Sequence, residues 1–443
     1  MRGGGDPAGV PGTDHVTQNC SPVRQFGRSG VPLIWGNNRT PEHSNDRTLF
    51  RESCLTSTRV LAAYYFWYFA AIGVSEPYIT PFWQHLGYSP VQLGLLNAIS
   101  PGIAVFAPFL WTAYADATRR GEAIFRINTW VSALVALVLP NLRGLSPMAV
   151  AVLVFAIFRT PLIALANSMA FHALAGRRQG FAGIRLWGTV GYILAALAAG
   201  IAMEMIGLRA GMHGIGLAML VCGVIAWTGR GRNRSSLPPA RLRDFLETLR
   251  DRRFVLLVVA ASLANMSFGP YTTFFTIHLK RLGLSSSFAG TAWALAAASE
   301  LVVMACWTRI CPLASLRVWV TLGLGAHAFR WILSIPAQGP AALLLIQLTH
   351  AFTFGVFYLA AVESVDRLVP QGLRATAQGV FASVVFGLSA LVGSAASGFL
   401  YEPLGMARLY AAAAALASAG TILYWAGMRP PVAAGHIPEG SSR

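Results

Sequence analysis

The chain has 443 residues, of which 55% are hydrophobic and only 12% are charged. Soluble domains carry about 25% charged residues, so this composition argues against a soluble enzyme of several domains and against a disordered scaffold. The formal net charge is +17, because 34 Lys and Arg residues outnumber 17 Asp and Glu residues. Such an excess occurs in nucleic-acid-binding proteins, in proteins that bind anionic membranes and in membrane proteins with basic loops.

Both ends of the chain are polar. Residues 1–58 are rich in Gly, Pro, Arg and Asn, and they lack the basic and apolar regions of a signal peptide. We expect a disordered cytoplasmic tail, or a segment that arises from a mis-called start codon. Residues 429–443 are also polar and predict a second disordered cytoplasmic tail.

Twelve apolar runs lie between these tails, and each has the length of about 20 residues that a membrane-spanning helix needs. The runs are long, rich in Ala and Leu, and do not alternate, so helices are predicted and strands are not. The sequence thus indicates an all-α membrane protein with twelve transmembrane helices. The runs lie at 59–84, 91–115, 123–142, 146–172, 184–206, 210–228, 254–279, 288–309, 316–336, 341–367, 379–401 and 406–427.

Basic residues are distributed unequally between alternate loops. One set of loops is rich in arginine, with Arg119 and Arg120 in its first member. The other set holds only Arg143, Arg209, Lys280, Arg281 and Arg408. The positive-inside rule places the first set in the cytoplasm, and an even number of spans then places both termini there. The predicted location is the cell inner membrane.

The longest segment between runs, residues 229–253, is the most basic. Pro238 and Pro239 interrupt any helix, after which Ala240 to Arg253 can form a basic amphipathic surface helix. A cytoplasmic linker between two halves, 59–228 and 254–428, is the favoured interpretation, and nucleic-acid binding is the alternative. We expect a bilayer partner and no nucleic acid.

The two halves resemble each other near their first spans. Residues 77–87 are PYITPFWQHLG, and residues 270–283 are PYTTFFTIHLKRLG. Both place Pro-Tyr-x-Thr late in a span and His-Leu at its exit. Two similar six-helix halves joined by a cytoplasmic linker are the architecture of major facilitator transporters, so the match predicts that fold.

Several ionisable residues lie inside the predicted spans, where charge is costly unless it faces a partner or a water-filled path, and six of them are candidates for function. For each one alone, a structural salt bridge or polar lock between helices is an alternative. Together they come from different helices and predict a functional cavity at the membrane midplane. The six are Glu76, Arg159, Arg185, Glu300, Arg330 and His350.

Around Arg185 the sequence GIRLWGTVGY resembles the fifth-helix motif of one branch of the major facilitator superfamily. That branch contains phenylpropionate transporters and oligosaccharide:proton symporters, and the resemblance covers residues 59–428. It implies that Arg185 binds substrate, that Thr189 is the small residue one turn further on, and that the ring of Tyr192 stacks against substrate.

The resemblance continues in the second half. Glu300, Arg330 and His350 are similar to the acid, base and histidine that the family carries on its eighth, ninth and tenth helices. The symporter's proton-carrying acid corresponds to Thr353 here, and the sugar symporter's fourth-helix acid corresponds to Asn167. These departures argue against a sugar as substrate.

The loop after the second run resembles the superfamily's gating loop. The sequence WTAYADATRRG keeps Asp116, Arg119 and Arg120 but lacks the usual glycines. We expect these three residues to act in gating.

The sequence predicts a secondary active transporter that moves a small organic solute, such as an aromatic or other organic acid, by alternating access. Coupling to protons is expected; a proton-independent facilitator and a non-transporting membrane sensor or scaffold are the alternatives. The expected substrate-binding residues are Arg185, Thr189, Tyr192, Arg159, Asn167 and His350. The expected proton-coupling residues are Glu300, Arg330, His350 and Glu76.

Other classes of protein find little support in the sequence. Neither an HExxH nor a GxSxG motif occurs, so an enzyme is not expected, and no P-loop motif is present to bind nucleotide. The five cysteines are scattered without zinc-binding spacing. We expect no metal and no cofactor, a small-molecule substrate and H+ as partners, and a monomer.

Overall fold

The computed structural model describes residues 45–174, 178–228 and 249–428, and no β-strand occurs within these ranges. The first half contains six helices, several of them interrupted. They are α1 (Asn45–His85), α2 (Pro90–Ala104 and Ala107–Thr118), α3 (Gly121–Val138, extended by the 3-10 turn Leu139–Asn141), α4 (Leu145–Arg159 and Leu162–Ala173), α5 (Arg178–Ile206) and α6 (Leu208–Thr228).

The second half repeats this pattern of six. Its helices are α7 (Arg252–Met266 and Gly269–Arg281), α8 (Ser286–Ile310, extended by Cys311–Leu313), α9 (Leu316–Ser334), α10 (Pro340–Gln347, the π-helical turn Ala351–Val356 and Phe357–Leu368), α11 (Arg374–Phe381, the π-helical turn Ala382–Leu388 and 389–404) and α12 (406–427). The predicted all-α fold with two six-helix halves is confirmed.

Nine stretches of the described residues are long and apolar enough to cross a membrane. The last of them, Thr376–Gly427, contains both α11 and α12, which are separated at Gly405. The φ of Gly405 is 69°, in the left-handed region that favours glycine, and Pro403 lies just before it. Helices α1 and α9 are not among these nine stretches. Tyrosines lower the hydropathy of α1, and the polar His327 and Arg330 lower that of α9.

The first helix begins earlier than the sequence predicted. Residues 45–58 belong to α1, so this part of the predicted disordered tail is helical. The stretch contains neither Gly nor Pro, and its Leu, Arg and Glu residues favour helix. Its many polar residues keep it out of the apolar run. The predicted tails at 1–44 and 429–443 and the linker 229–248, with most of its amphipathic helix, lie outside the described residues.

Each half packs through close contacts between helix backbones. In the first half, a Cβ atom on Gly191 of α5 would lie only 2.1 Å from the carbonyl oxygen of Phe66 in α1. A Cβ on Gly73 of α1 would lie 2.4 Å from the carbonyl oxygen of Tyr192. Small residues at such crossings let membrane helices approach closely, so these glycines fix the contact between α1 and α5.

Gly191→Ala is therefore expected to destabilise the protein by roughly 1–3 kcal/mol, because the added methyl group forces α1 and α5 apart. The same change at Gly183, on the same helix, serves as the control because a Cβ there meets no atom within 4 Å. Gly183→Ala should be neutral or slightly stabilising, since Ala favours helix over Gly by about 1 kcal/mol. Thermal unfolding of the purified variants in detergent compares the two, and equal melting temperatures would contradict the prediction.

The two halves meet mainly along two helix pairs, α5 with α8 and α2 with α11. We call the face with the loops at 86–89, 142–144, 207, 282–285, 335–339 and 405 the predicted outer face, and the opposite face the predicted cytoplasmic face. Near the predicted outer face, α5 contacts α8, and α2 contacts α11: a Cβ on Gly94 of α2 would lie 2.6 Å from the Cα atom of Gly398. Closer to the predicted cytoplasmic face, the Ser383 hydroxyl of α11 donates to the Val105 carbonyl of α2 at 3.1 Å.

Candidate functional site

A cavity of about 550 Å³ lies between the two halves. Its walls come mainly from α1, α2, α4 and α5 in the first half and from α7, α8, α10 and α11 in the second. This volume is within the range of small-molecule binding sites, about 300–1,000 Å³.

Helix interruptions coincide with this cavity. Thr160 lies at the break in α4, Phe268 at the break in α7, and Thr353 and Phe386 in the π-helical turns of α10 and α11, and all four line the cavity. Irregular backbone is tolerated at membrane depth where it borders a cavity, and π-helical turns are frequent at functional sites. Four of the helix interruptions therefore border this cavity.

In the second half, His350 connects an acid to a base. Its Nε2 atom lies 3.8 Å from Oε2 of Glu300 on α8, and its Nδ1 atom lies 3.1 Å from Nη1 of Arg330 on α9. The sequence placed one of these residues on each of three helices, and the structure brings all three together.

The protonation of His350 follows from these contacts. A guanidinium group has donors only, so Nδ1 of His350 must accept the hydrogen bond from Arg330. A neutral imidazole with one accepting nitrogen carries its proton on the other, so the Nε2–H group faces Glu300. His350 in this arrangement is neutral and offers Glu300 a hydrogen-bond donor rather than a positive charge.

Arg330 is completely buried and lies behind the cavity wall. Its Nη2 atom donates to Oε1 of Gln347 at 2.8 Å, and the same oxygen accepts from the hydroxyl of Tyr271 at 3.0 Å. The guanidinium carbon lies 4.4 Å from the centre of the Tyr271 ring and 5.6 Å from that of Phe268. Aromatic faces stabilise a buried cation, so this charge is fixed in place and acts on the cavity through His350.

In the first half, Arg185 of α5 and Arg159 of α4 both line the cavity. The guanidinium carbon of Arg185 lies 4.0 Å from the centre of the Phe69 ring, and that of Arg159 lies 5.4 Å from the Phe155 ring. Within the described residues, neither arginine forms an ion pair with a carboxylate at hydrogen-bond distance. Both can therefore receive an anionic group.

The remaining cavity residues of the first half include a second acid. Glu76 of α1 accepts a hydrogen bond from the Tyr192 hydroxyl at 3.0 Å, and both residues line the cavity. Thr189, one turn before Tyr192 on α5, also lines it. The expected residues Arg185, Thr189 and Tyr192 thus share one wall.

Two groups of expected site residues lie elsewhere. Asn167 is not among the residues that line the cavity, and its Oδ1 atom accepts a hydrogen bond from the buried Tyr65. Asp116, Arg119 and Arg120 lie where α2 ends and α3 begins, at the predicted cytoplasmic face. Arg119 has a φ of 56° and closes α2 in the left-handed conformation. The structure separates this turn from the cavity.

Several residues of the site did not stand out individually in the sequence. Phe69 ends the aromatic stretch YYFWYF at 64–69, whose consecutive side chains point around the whole helix, and its ring lies under Arg185. Tyr271 belongs to the repeated Pro-Tyr-x-Thr segment, which pointed to the fold rather than to Arg330. Phe268 lies 6.0 Å from the His350 ring, centre to centre, and no sequence signal marked it.

No group of three or more His, Cys, Asp or Glu residues that could hold a metal ion occurs within the parts of the chain that the structure describes. The polar groups of the cavity are instead arginines, carboxylates, a histidine and hydroxyls. Such groups suit an organic solute with a charged end.

Comparison with known proteins places the chain in a family. The profile of the MFS_1 like family matches residues 58–412. The chain is 24% identical to a maltose permease of Geobacillus stearothermophilus, over 82% of this chain and 92% of the relative. It is 25% identical to a probable 3-phenylpropionic acid transporter of Escherichia coli, over 79% and 93%.

Solved structures agree on the fold. The nucleoside transporter NupG aligns with a TM-score of 0.75 and 16% identity, covering 83% of this chain and 98% of that one. The POT family transporter PepTSo aligns with a TM-score of 0.68 and 12% identity, covering 83% and 97%. The chain belongs to the MFS_1 like family and is a multi-pass membrane transporter of small solutes, not an enzyme.

Proposed function

We propose that this transporter is a proton symporter for a small organic acid that works by alternating access in the cell inner membrane. Both termini and the linker 229–253 lie in the cytoplasm, and the monomer, with halves 59–228 and 254–428, is the working unit. The observation that carries the proposal is the presence of two receptive arginines and two carboxylates in one cavity between the halves.

The charges around the cavity favour a substrate with one negative charge. Arg159, Arg185 and Arg330 contribute +3, Glu76 and Glu300 contribute −2, and His350 is neutral, so the sum is 3 − 2 = +1. Arg185 and Arg159 can bind a carboxylate, and the planar guanidinium of Arg185 can do so through two parallel hydrogen bonds.

The apolar part of the substrate has aromatic surroundings. Phe69 and Phe155 line the cavity beside the two arginines, and Phe268, Phe354 and Phe386 line it on the opposite half. Aromatic rings prefer stacked or edge-to-face contact with other rings, so an aromatic acid fits this site better than a polyhydroxylated sugar. Among the relatives, a probable 3-phenylpropionic acid transporter has this substrate class in its name.

Glu300 is the proposed proton carrier, and Glu76 is a second candidate. Glu300 and Arg185 line the same cavity from opposite halves, so Arg185 is a counter-charge available to Glu300. When a substrate carboxylate binds Arg185, the positive charge of Arg185 is neutralised by the substrate instead of by Glu300. Glu300 then binds a proton from water, because an unpaired carboxylate in a cavity is costly. The anion adds one negative charge and the proton adds one positive charge, so the empty and loaded cavities have the same net charge.

The test is transport by the purified protein in proteoliposomes. Thermal stabilisation against a panel of aromatic and aliphatic monocarboxylates first identifies a ligand, since ligands that bind the native state raise its apparent stability. With that ligand, an inward proton gradient should drive accumulation of about tenfold per pH unit, and a protonophore should abolish it. Accumulation should not respond to membrane potential, because one proton accompanies one negative charge.

A proton-independent facilitator is the second candidate, and Thr353 favours it. The Thr353 hydroxyl is fully buried, lies 3.4 Å from Nδ1 of His350, and occupies the position of the symporters' proton-carrying acid. A facilitator would equilibrate the ligand at the same rate with and without a proton gradient. Stabilisation by a ligand without any flux would instead indicate a membrane sensor or scaffold.

A further inference from the structure

The two halves are joined by hydrogen bonds at the predicted outer face. Glu204, near the end of α5, accepts two of them from Ser287, in the first turn of α8. The backbone nitrogen of Ser287 lies 2.7 Å from Oε1, and its hydroxyl lies 2.7 Å from Oε2. One carboxylate of the first half thus uses both oxygens on a single residue of the second half.

The Glu204 carboxylate accepts a hydrogen bond from a backbone amide at the N-terminus of α8. The first amides of a helix have no partner within the helix, and negative charge there is favourable. Ser285 is the N-cap of α8 and satisfies the amide of Phe288 with its own hydroxyl. Glu204 satisfies the amide of Ser287 from the other half. The amide of Ser287 therefore has its carboxylate partner only while the halves touch at this face.

The buried Tyr78 bridges the same two helices, α5 and α8, deeper in the protein than Glu204 does. The hydroxyl of Tyr78 in α1 lies 3.1 Å from the carbonyl oxygen of Ala196 in α5 and 3.0 Å from that of Ser286 in α8, and can donate to either. Tyr78 has no exposed surface. If the halves separated, the Tyr78 hydroxyl would keep the Ala196 carbonyl as its hydrogen-bond acceptor and would lose the Ser286 carbonyl.

The helix backbones touch around this tyrosine. A Cβ on Gly290 of α8 would lie 2.3 Å from the carbonyl oxygen of Ala196, and a Cβ on Gly200 of α5 would lie 2.8 Å from that of Ser286. Contacts this close leave no room for water between α5 and α8. This part of the interface is sealed, and it is held by the hydrogen bonds that Glu204 accepts from Ser287 and that Tyr78 donates.

We propose that Glu204, Ser287, Tyr78 and Ser286 form an outer latch that closes the cavity on the predicted outer face. The latch rests on the alternating access of the proposed function. The latched state is the one in the structure, and opening exchanges the bonds of Glu204 for water. Each turnover breaks and re-forms the latch, so its strength sets the share of time that the cavity faces outward.

The experiment measures accessibility of the cavity from the outer side. The five native cysteines are replaced by serine, and Ala297→Cys, in the cavity wall on α8, provides one thiol. A membrane-impermeant maleimide is added to right-side-out vesicles, and the labelling rate is measured with and without Glu204→Gln. The amide keeps the size of the side chain but removes the charge at the α8 N-terminus, so we expect labelling to accelerate several-fold.

Two further variants address the latch by different means. Tyr78→Phe removes the bridging hydroxyl and should also accelerate labelling. Gly290→Ala places a methyl group against the Ala196 carbonyl and should force α5 and α8 apart, which gives the largest increase. Agreement among the three changes excludes a chance effect of one variant on folding.

Matched controls lie on the same face. Glu402→Gln removes a charge from the outer end of α11, and Tyr88→Phe removes a hydroxyl that bonds to the Gly144 carbonyl within the first half. Neither control should change the labelling rate. An unchanged rate in Glu204→Gln and Gly290→Ala, with native melting temperatures, would overturn the latch.

The result separates the latch from the proposed function. Labelling reports the conformation without any substrate, so it can rise in Glu204→Gln even if no organic acid is transported. In that case the latch stands and the symport proposal fails. Conversely, proton-driven uptake of an acid together with unchanged labelling in every latch variant rejects the latch alone.

Discussion

Arg185→Ala is expected to weaken binding of the anionic substrate strongly. Arg185 lines the cavity, lies 4.0 Å over the Phe69 ring, and has no ion-pair partner at hydrogen-bond distance within the described part of the chain. Removing one partner of a buried, hydrogen-bonded charge pair costs about 2–5 kcal/mol, so affinity should fall at least about 30-fold. The readout is the ligand-induced rise in melting temperature, titrated against ligand concentration.

Arg185→Lys distinguishes charge from geometry. Lysine keeps the positive charge but loses the planar fork that can bind a carboxylate through two hydrogen bonds. Its affinity should lie between those of the wild type and Arg185→Ala. Arg143→Ala, in a loop at the predicted outer face, is the control and should bind as the wild type does. Full binding by Arg185→Ala would assign the anion to Arg159 instead.

The fold was predictable because each membrane-spanning helix corresponds to its own apolar run in the sequence. Twelve apolar runs corresponded to twelve helices, including the pair separated only by the break at Gly405. The start of α1 at Asn45 was missed because its first residues are polar. An apolar run indicates the part of a helix that contacts lipid, and it does not mark where the helix begins. Helix formation outside the bilayer leaves a weaker signal, based on propensity alone.

The sequence singles out most of the ionisable residues that the structure places around the cavity, but not how they are arranged. Charged residues within apolar runs identified Glu300, Arg330 and His350, because such residues are costly without partners. That Arg330 lies behind His350 rather than in the cavity depends on the rotation of α9 and α10. The π-helical turn Ala351–Val356 changes which side chains of α10 share a face, and no periodicity in the sequence reports it.

The same limit explains Asn167. The resemblance matches Asn167 to the fourth-helix acid of the sugar symporters, and it therefore implied a place in the site. In the structure its side chain is engaged by the hydroxyl of Tyr65 and lies outside the cavity lining. A pairing between side chains of two helices depends on tertiary contacts, which a single sequence does not contain. We therefore place substrate selectivity in the arginines and aromatic rings that do line the cavity.

In Glu300→Gln, we expect exchange of substrate to continue and proton-driven accumulation of substrate to be lost. Glutamine resembles the protonated carboxylic acid in shape and charge, and its side-chain oxygen can still face the Nε2–H group of His350, which lies 3.8 Å from Oε2 of Glu300. The variant should therefore bind ligand and carry out counterflow, in which labelled substrate exchanges for unlabelled substrate. It cannot release a proton, so an inward gradient of one pH unit should no longer produce the roughly tenfold accumulation seen in the wild type.

Glu76→Gln is the matched comparison, because Glu76 lines the same cavity and accepts a hydrogen bond from Tyr192 that glutamine can also accept. If Glu300 carries the proton, Glu76→Gln keeps gradient-driven accumulation while Glu300→Gln loses it. The reverse pattern would assign the proton to Glu76. Retained accumulation in both single variants would contradict the choice of either residue, since a symporter without its proton-binding group cannot use the gradient. Loss of counterflow in Glu300→Gln would mean that Glu300 serves substrate binding rather than coupling.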